Sequence, residues 1–294
     1  MRRPSSVPPV LHSLAATATG AVAALAFLSA APAAAAAQSW RTVESSRQLR
    51  DSAPLAVHVS YGAGRLDVRP TTERVMYHME LRYDAERDTP IHEFDAGARR
   101  LELGAHTSKA RLIRNDGGGE LRLELPHGVP LDLELDVGAV KGELDLRGIA
   151  LDRLSLQTGA SETRVRFDST ARRPVRHIEA EAGAARLEML DIAAAAPGSV
   201  KVHVGVGSAD LDFGRVWRND IDLDVEAALG SMTLHVPREV GIRLELDRAL
   251  SGFDHEGMYR HGGNVWVSDS WDGAERRLRV HAETAFGKLR IDRF

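Results

Sequence analysis

The sequence predicts an all-β protein whose second half is a right-handed, single-stranded β-helix (β-solenoid). Five times between residues 131 and 236, a short alternating strand runs into a glycine- or alanine-rich corner, and a second alternating strand follows. Repeats of roughly 20–50 residues are typical of solenoids and arrays. No segment after residue 37 has the apolar periodicity of a long amphipathic helix.

The five copies recur at a nearly constant interval. They read LDLELDVGAVKGELDL, LSLQTGASETRVRF, IEAEAGAARLEML, VKVHVGVGSADLDF and IDLDVEAALGSMTLHV. The last inward apolar residues of their second strands are 21, 22, 24 and 23 residues apart: Leu146, Phe167, Met189, Phe213 and Val236. At roughly 3.3 Å per extended residue, one period supplies about 70 Å of chain, which suits one coil. We therefore expect Leu146, Phe167 and Met189 to stack as an inward column on parallel strands.

In each copy the apolar side chains change parity at the corner. Odd positions are apolar from Leu131 to Val137, whereas Leu144 and Leu146 are even. Such a change requires an extra residue, as in a bulge, and small residues suit that bend. The corners hold Gly138, Gly159, Gly183, Gly205 and Gly207. Ordinary hairpins in a β-sandwich or barrel are the alternative, but no corner carries the Asn-Gly or Asp-Gly pair of a two-residue hairpin.

The outward charges give a second indication of register. Stacking the copies places Arg166 between Asp145 and Glu188, and it places Lys201 beside Glu179. Opposite charges on neighbouring strands contribute about 0.2–1 kcal/mol each. Alternating signs along such rows would favour one register over its neighbours.

Residues 1–37 resemble a signal peptide. Arg2 and Arg3 precede an apolar stretch, and an alanine run offers A-x-A cleavage sites near Ala37. An uncleaved membrane anchor is the alternative, because the apolar stretch approaches spanning length. We expect cleavage, no membrane span in the mature chain, and a periplasmic or cell-surface location. Without cysteine, the chain can form no disulfide and carries no lipid-anchoring thiol.

The rest of the chain divides into three predicted parts. Residues 38–54 are a polar linker, residues 55–130 are a related N-terminal β region, and residues 131–294 contain the solenoid repeats. Within the last part, residues 250–275 interrupt the rhythm as an aromatic insertion.

The sequence contains no recognisable catalytic motif. A nucleophile elbow, a metalloprotease helix, a P-loop and a dinucleotide fingerprint are all missing. His255, Glu256 and His261 lack the helical spacing of a metal site and are better explained as exposed loop residues. Strand carboxylates could hold Ca²⁺, although solvated strand faces explain them more simply: Asp132, Glu134, Asp136, Glu143 and Asp145. We predict a non-enzyme without cofactor or metal.

The net charge of −4 indicates neither nucleic acid nor an anionic surface as partner. The most unusual feature is an aromatic group in the insertion: Phe253, Tyr259, Trp266 and Trp271. Such a group either caps the open end of a solenoid, protecting its core and its edge strand, or forms a contact patch for a sugar or a protein.

Several segments resemble the bacterial toast-rack envelope proteins. They are YGAGRLDVRP, VGAVKGELDLRGIALDRLSLQTGAS, LGSMTLHVP and the closing AFGKLRI, and the likeness runs from Val43 to the C-terminus. The toast-rack proteins are akin to the LiaF-like cell-wall-active antibiotic response proteins and to putative adhesins of solenoid fold. The resemblance implies a non-enzymatic, adhesin-like or scaffold module of the cell envelope, with an unknown envelope protein or glycan as partner.

Two other functions remain as alternatives. One is a component of envelope-stress signalling of the LiaF type, although LiaF-like proteins carry several membrane helices before this module. The other is a carbohydrate-active β-helix enzyme, which would place a shifted carboxylate or lysine in a deep groove.

Overall fold

The fold is a ladder of long, bent strands, seen in a computed structural model that describes residues 39–107, 118–168 and 173–294. The predicted signal peptide lies outside the described residues. The strands are β1 (Trp40–Gln48), β2 (Leu55–Thr71), β3 (Val75–Asp84), β4 (Asp88–Asp95), β5 (Arg100–Thr107), β6 (Gly119–Pro126), β7 (Leu131–Asp145), β8 (Leu151–Arg166), β9 (His177–Leu190), β10 (Ser199–Asp212), β11 (Ile221–Val236), β12 (Gly241–His255), β13 (Met258–Gly262), β14 (Val265–Ser268) and β15 (Arg277–Arg293). A short 3₁₀ helix, Ile192–Ala195, precedes β10. Within these ranges, no helix is long and apolar enough to span a membrane.

The prediction of an all-β solenoid is confirmed. Strands β2, β7, β8, β9, β10 and β11 lie side by side in this order, and all their pairings are parallel. Each strand bends at a small residue into a first arm and a second arm, because the pairing skips one residue at the corner, as at Gly138 and Gly159. The arms that flank Gly205 pair with β9 and β11 rather than with each other. The hairpin alternative is therefore wrong.

The coil length agrees with the predicted range. Equivalent buried positions on the first arms are 21, 24, 22 and 23 residues apart: Leu133, Leu154, Ile178, Val200 and Leu223. The predicted inward column is wrong in one member, since Met189 pairs with Val165 and Leu211 rather than stacking on Phe167. The connection between β8 and β9 is longer than the connections between the other coils. The second arm of β9 therefore lies two residues away from the register predicted from the sequence.

Because of the same two-residue shift, one predicted row of alternating charges is wrong. Arg166 pairs with Leu190, so the predicted row from Asp145 through Arg166 to Glu188 ends early. Arg164 takes that role, with its guanidinium 3.5 Å from Glu143 and 2.6 Å from Glu188. The predicted neighbours Lys201 and Glu179 are confirmed, with 3.2 Å between Nζ and Oε1.

Chain order and spatial order differ at both ends of the ladder. The C-terminal strand β15 lies between β11 and β12, and all its pairings are parallel. At the other end β2 lies between β7 and a coil assembled from β5 and β6. Antiparallel strands then cover parts of the outer edges, with β3 and β1 beyond β6, β4 beside β5, and β14 and β13 beyond β12.

These end strands change two predicted boundaries. Residues 40–48 of the predicted linker form β1, which pairs antiparallel with β3. This polar edge strand is solvated along most of its length, so its sequence lacks clear alternation. Residues 250–255 of the predicted insertion are the second arm of β12, in register with β15. No described strand pairs with the outer edge of this arm, and its exposed residues therefore lack the alternation of inner coils.

Candidate functional site

A groove runs along the glycine corner of the solenoid. It has a volume of about 710 Å³, and its floor is a column of one glycine per coil: Gly62, Gly138, Gly159, Gly183 and Gly205. A Cβ at Gly138 would lie 2.3 Å from the carbonyl oxygen of Gly62 on the neighbouring strand. Because these five positions carry no side chain, the floor exposes bare backbone.

One side of the groove carries a polar residue on every coil. Asp136, Gln157, Glu181 and His203 are register partners on four consecutive first arms, and all four line the groove. Adjacent members lie about 4.8 Å apart, the spacing of neighbouring strands. Ionised carboxylates accept hydrogen bonds, while amide and neutral imidazole groups both donate and accept them. The row can therefore bind polar groups that repeat along an extended ligand.

Tyr61 lies at the N-terminal end of the groove. Its side chain is buried, and its hydroxyl has no hydrogen-bond partner among the described residues. Burial and the nearby carboxylates of Asp88 and Glu120 raise the pKa of this hydroxyl, so it remains protonated. The hydroxyl oxygen is itself buried, so it is not available to a ligand in the groove.

The four aromatic residues predicted as a cap or contact patch do not form one patch. Phe253, on the second arm of β12, meets Trp266 of β14 at 5.1 Å between ring centroids, and His255 stands 4.7 Å from Trp266. Trp271 lies instead beside the guanidinium of Arg277, and Tyr259 is 46% exposed. Among the described rings, only Phe253 and Trp266 of the four contact each other, and both pack against the core.

The acidic residues considered from the sequence occupy different arms. Asp132, Glu134 and Asp136 are on the first arm of β7, while Glu143 and Asp145 are on its second arm. Hydrogen bonds from Arg147 hold the pKa of the Asp145 carboxyl below its usual range. The histidine and glutamate considered as metal ligands in the insertion also lie apart. His255 contacts Trp266, and Glu256 pairs with Arg238.

A closer cluster of possible ligands lies at the C-terminal end and was not predicted from the sequence. Ligand atoms of Glu245, Asp247 and His281 lie within 4.8 Å of one another on the outer face of the first arms. Two of these residues are on β12 and one is on β15. Only the pairing of β12 with β15 brings them together, and no local pattern in the sequence reports that pairing.

The parallel coils, the bare corner and the covered ends define a β-solenoid with a surface groove. The family model of the N-terminal domain of toast_rack, DUF2154, matches residues 36–190. This match spans more than half of the chain, so the protein belongs to the toast_rack family. The resemblance seen in the sequence is thereby confirmed.

The solved structures that match the chain include three bacterial proteins. A putative cell adhesion protein from Clostridium sporogenes ATCC 15579 is 13% identical, with a TM-score of 0.47 over 87% of this chain and 100% of that one. A putative adhesin from Bacteroides fragilis NCTC 9343 is 9% identical, with a TM-score of 0.33 over 85% and 97%. A putative adhesin from Parabacteroides merdae ATCC 43184 is also 9% identical, with a TM-score of 0.34 over 87% and 96%. No curated protein matches the chain.

Proposed function

We propose that this protein is an exported, non-enzymatic binding module of the bacterial cell envelope, adhesin-like in role. The observation that carries the proposal is the corner groove, with polar side chains repeated once per coil along a floor of glycine backbone. The signal-like residues 1–37 support export.

The chemistry of the groove favours an envelope glycan as ligand. The polar row advances by about 4.8 Å per coil, close to the length of one sugar unit in an extended chain. Hydroxyl groups both donate and accept, and so they suit a row of Asp136, Gln157, Glu181 and His203. Register places small side chains on the second arms just beyond the floor, at Ala139, Ala160 and Ala184, where a sugar ring can approach.

Binding is favoured over hydrolysis by the position of a perturbed carboxyl. A glycoside hydrolase raises the pKa of one carboxyl next to its substrate. Here burial and the neighbouring Asp212 raise the pKa of Asp191, but this residue follows the end of β9 and does not line the groove.

One experiment tests export and binding together. We expect the full-length chain, expressed in a bacterium, to be recovered with purified peptidoglycan sacculi and to start near Gln38 by mass spectrometry. Gln157→Trp should release the protein into the soluble envelope fraction, because the indole fills the groove. Ser231→Trp, which places the same indole on the exposed second arm of β11, should leave retention unchanged.

Two results would contradict the proposal. Recovery of the uncleaved chain in the membrane fraction would replace export with anchoring. Equal retention of the wild type and Gln157→Trp, or no retention of either, would exclude the groove as a peptidoglycan site.

A further inference from the structure

A ridge of exposed apolar side chains continues the corner beyond the groove. Val206, Leu229, Phe286 and Leu250 are register partners on β10, β11, β15 and β12. They are 49%, 51%, 51% and 74% exposed, respectively. In the other half of the solenoid the same column holds only alanine: Ala63, Ala139, Ala160 and Ala184. Four large side chains about 4.8 Å apart give a ridge about 14 Å long.

Exposing a contiguous apolar ridge to water is energetically unfavourable for a surface that binds no partner. Single exposed apolar residues are ordinary, but contiguous apolar patches mark interaction sites. Bending a strand does not require large side chains here, because alanine occupies the same column at four other corners. The corner itself therefore does not explain the ridge.

An acidic surface flanks the ridge on the first arms. Glu226, Glu283 and Asp247 form one outward row, and Asp224, His281 and Glu245 form the next. On the preceding coils a residue without negative charge separates the carboxylates, as Lys201 separates Glu179 from Asp224. In the first of these rows three carboxylates adjoin, an arrangement that is destabilising on neighbouring strands.

Two of the nearby arginines make other contacts. Among the described residues, no Lys or Arg lies within ion-pair distance of these five carboxylates. Arg279 pairs with Asp220 and Asp222, while Arg248 donates to the carbonyl oxygen of Ser251. The polar contacts that remain are from His203 to Glu226 at 3.4 Å, from His281 to Glu283 at 3.3 Å and from Asn264 to Asp247 at 2.8 Å.

The opposite flank of the ridge is small and nearly uncharged. It begins with Gly207, Gly230, Gly287 and Ser251, the register partners that follow on the second arms. Lys288 lies one row further on and pairs with Asp254. The charge around the ridge is therefore one-sided.

We propose that the ridge and its acidic flank dock a cationic amphipathic helix of another envelope protein. Its apolar stripe covers Val206, Leu229, Phe286 and Leu250, and lysine or arginine on one side reaches the row of Glu226, Glu283 and Asp247. A ridge of about 14 Å matches about nine residues of helix at 1.5 Å per residue. The negative flank repels anionic lipid headgroups, which disfavours a membrane as occupant.

The test measures binding of a fluorescent model helix built from leucine and lysine by anisotropy. The residue 38–294 protein should bind it, more weakly at high salt, because the contact includes exposed charges. Phe286→Ser and Glu283→Lys should each weaken binding roughly tenfold or more. Val216→Ser and Glu162→Lys, an apolar-to-serine change and a charge reversal at exposed positions away from the ridge, should not.

Several outcomes would overturn the inference. One is equal binding of a matched helix with glutamate in place of lysine, and another is indifference to Phe286→Ser. If Ca²⁺ or Zn²⁺ alone binds at Glu245, Asp247 and His281 while the helix does not bind, the acidic surface is a cation site. The groove is tested separately, because Gln157→Trp should leave helix binding intact and Phe286→Ser should leave retention by sacculi intact.

Discussion

Replacing Phe213 with alanine should lower the free energy of unfolding by roughly 3–5 kcal/mol, the usual loss when a buried phenylalanine is truncated. Phe213 is 0% exposed and stands at the end of the second arm of β10, with its ring centroid 5.7 Å from that of Trp217. Denaturant unfolding followed by circular dichroism measures the change.

Phe286→Ala is the matched control. Its side chain is 51% exposed on the ridge, and truncation should change stability by less than about 0.5 kcal/mol. Equal losses for the two variants would mean that the ring of Phe286 is buried or that Phe213 is not.

Gly230→Ala should destabilise the protein by roughly 2–4 kcal/mol, because two effects add. The φ of Gly230 is 144°, a conformation that side-chain-bearing residues rarely adopt. A Cβ there would lie 1.8 Å from the carbonyl oxygen of Gly207 on the adjacent coil, so the coils would have to separate. Thermal unfolding of the purified variant tests this contact between neighbouring coils.

Gly252 provides the control on the outermost coil. Its φ lies outside the left-handed region, and a Cβ would be 3.8 Å from the nearest backbone oxygen, that of Gly287. Gly252→Ala should therefore be neutral or slightly stabilising. If Gly252→Ala lowered the stability as much as Gly230→Ala, the close backbone contact between neighbouring coils would not be the cause of the loss at Gly230.

The repeated coil was predictable because its cause is local. Burial of one face makes apolar residues alternate, and the extra residue at each corner shifts their parity, as between Leu135 and Leu144. The signs of the charges could not fix the register of β9 against β8. Arg164 and Arg166 are two positions apart on β8, so either arginine could be placed beside Glu188. A slip of two residues preserves the inward face, so the apolar pattern does not exclude it.

The ends of the solenoid and most of the site were not predictable. Strand β15 reads like one more coil, and nothing in its sequence reports that it enters between β11 and β12. The cluster of Glu245, Asp247 and His281 needs β15 beside β12, and the same insertion places Phe286 in the ridge between Leu229 and Leu250. The groove residues were visible as corner glycines and outward charges, but their alignment along one axis depends on the register.

The strand order β11–β15–β12 determines which residues adjoin at the C-terminal end of the solenoid, and engineered disulfides test this order directly. The chain contains no cysteine, so each double variant carries only two thiols. Ser231 and Lys288 are register partners on β11 and β15, about 4.8 Å apart, within the range of Cα separations that a disulfide bridges. Ser231 and Gly252 are two strands apart, about 9.6 Å, beyond that range.

Non-reducing electrophoresis after mild oxidation should show the intramolecular link in Ser231→Cys/Lys288→Cys and none in Ser231→Cys/Gly252→Cys. The reverse result would place β12 directly beside β11. It would place Leu250 rather than Phe286 beside Leu229, and Asp247 rather than Glu283 beside Glu226, which contradicts the order of the ridge and of its acidic row.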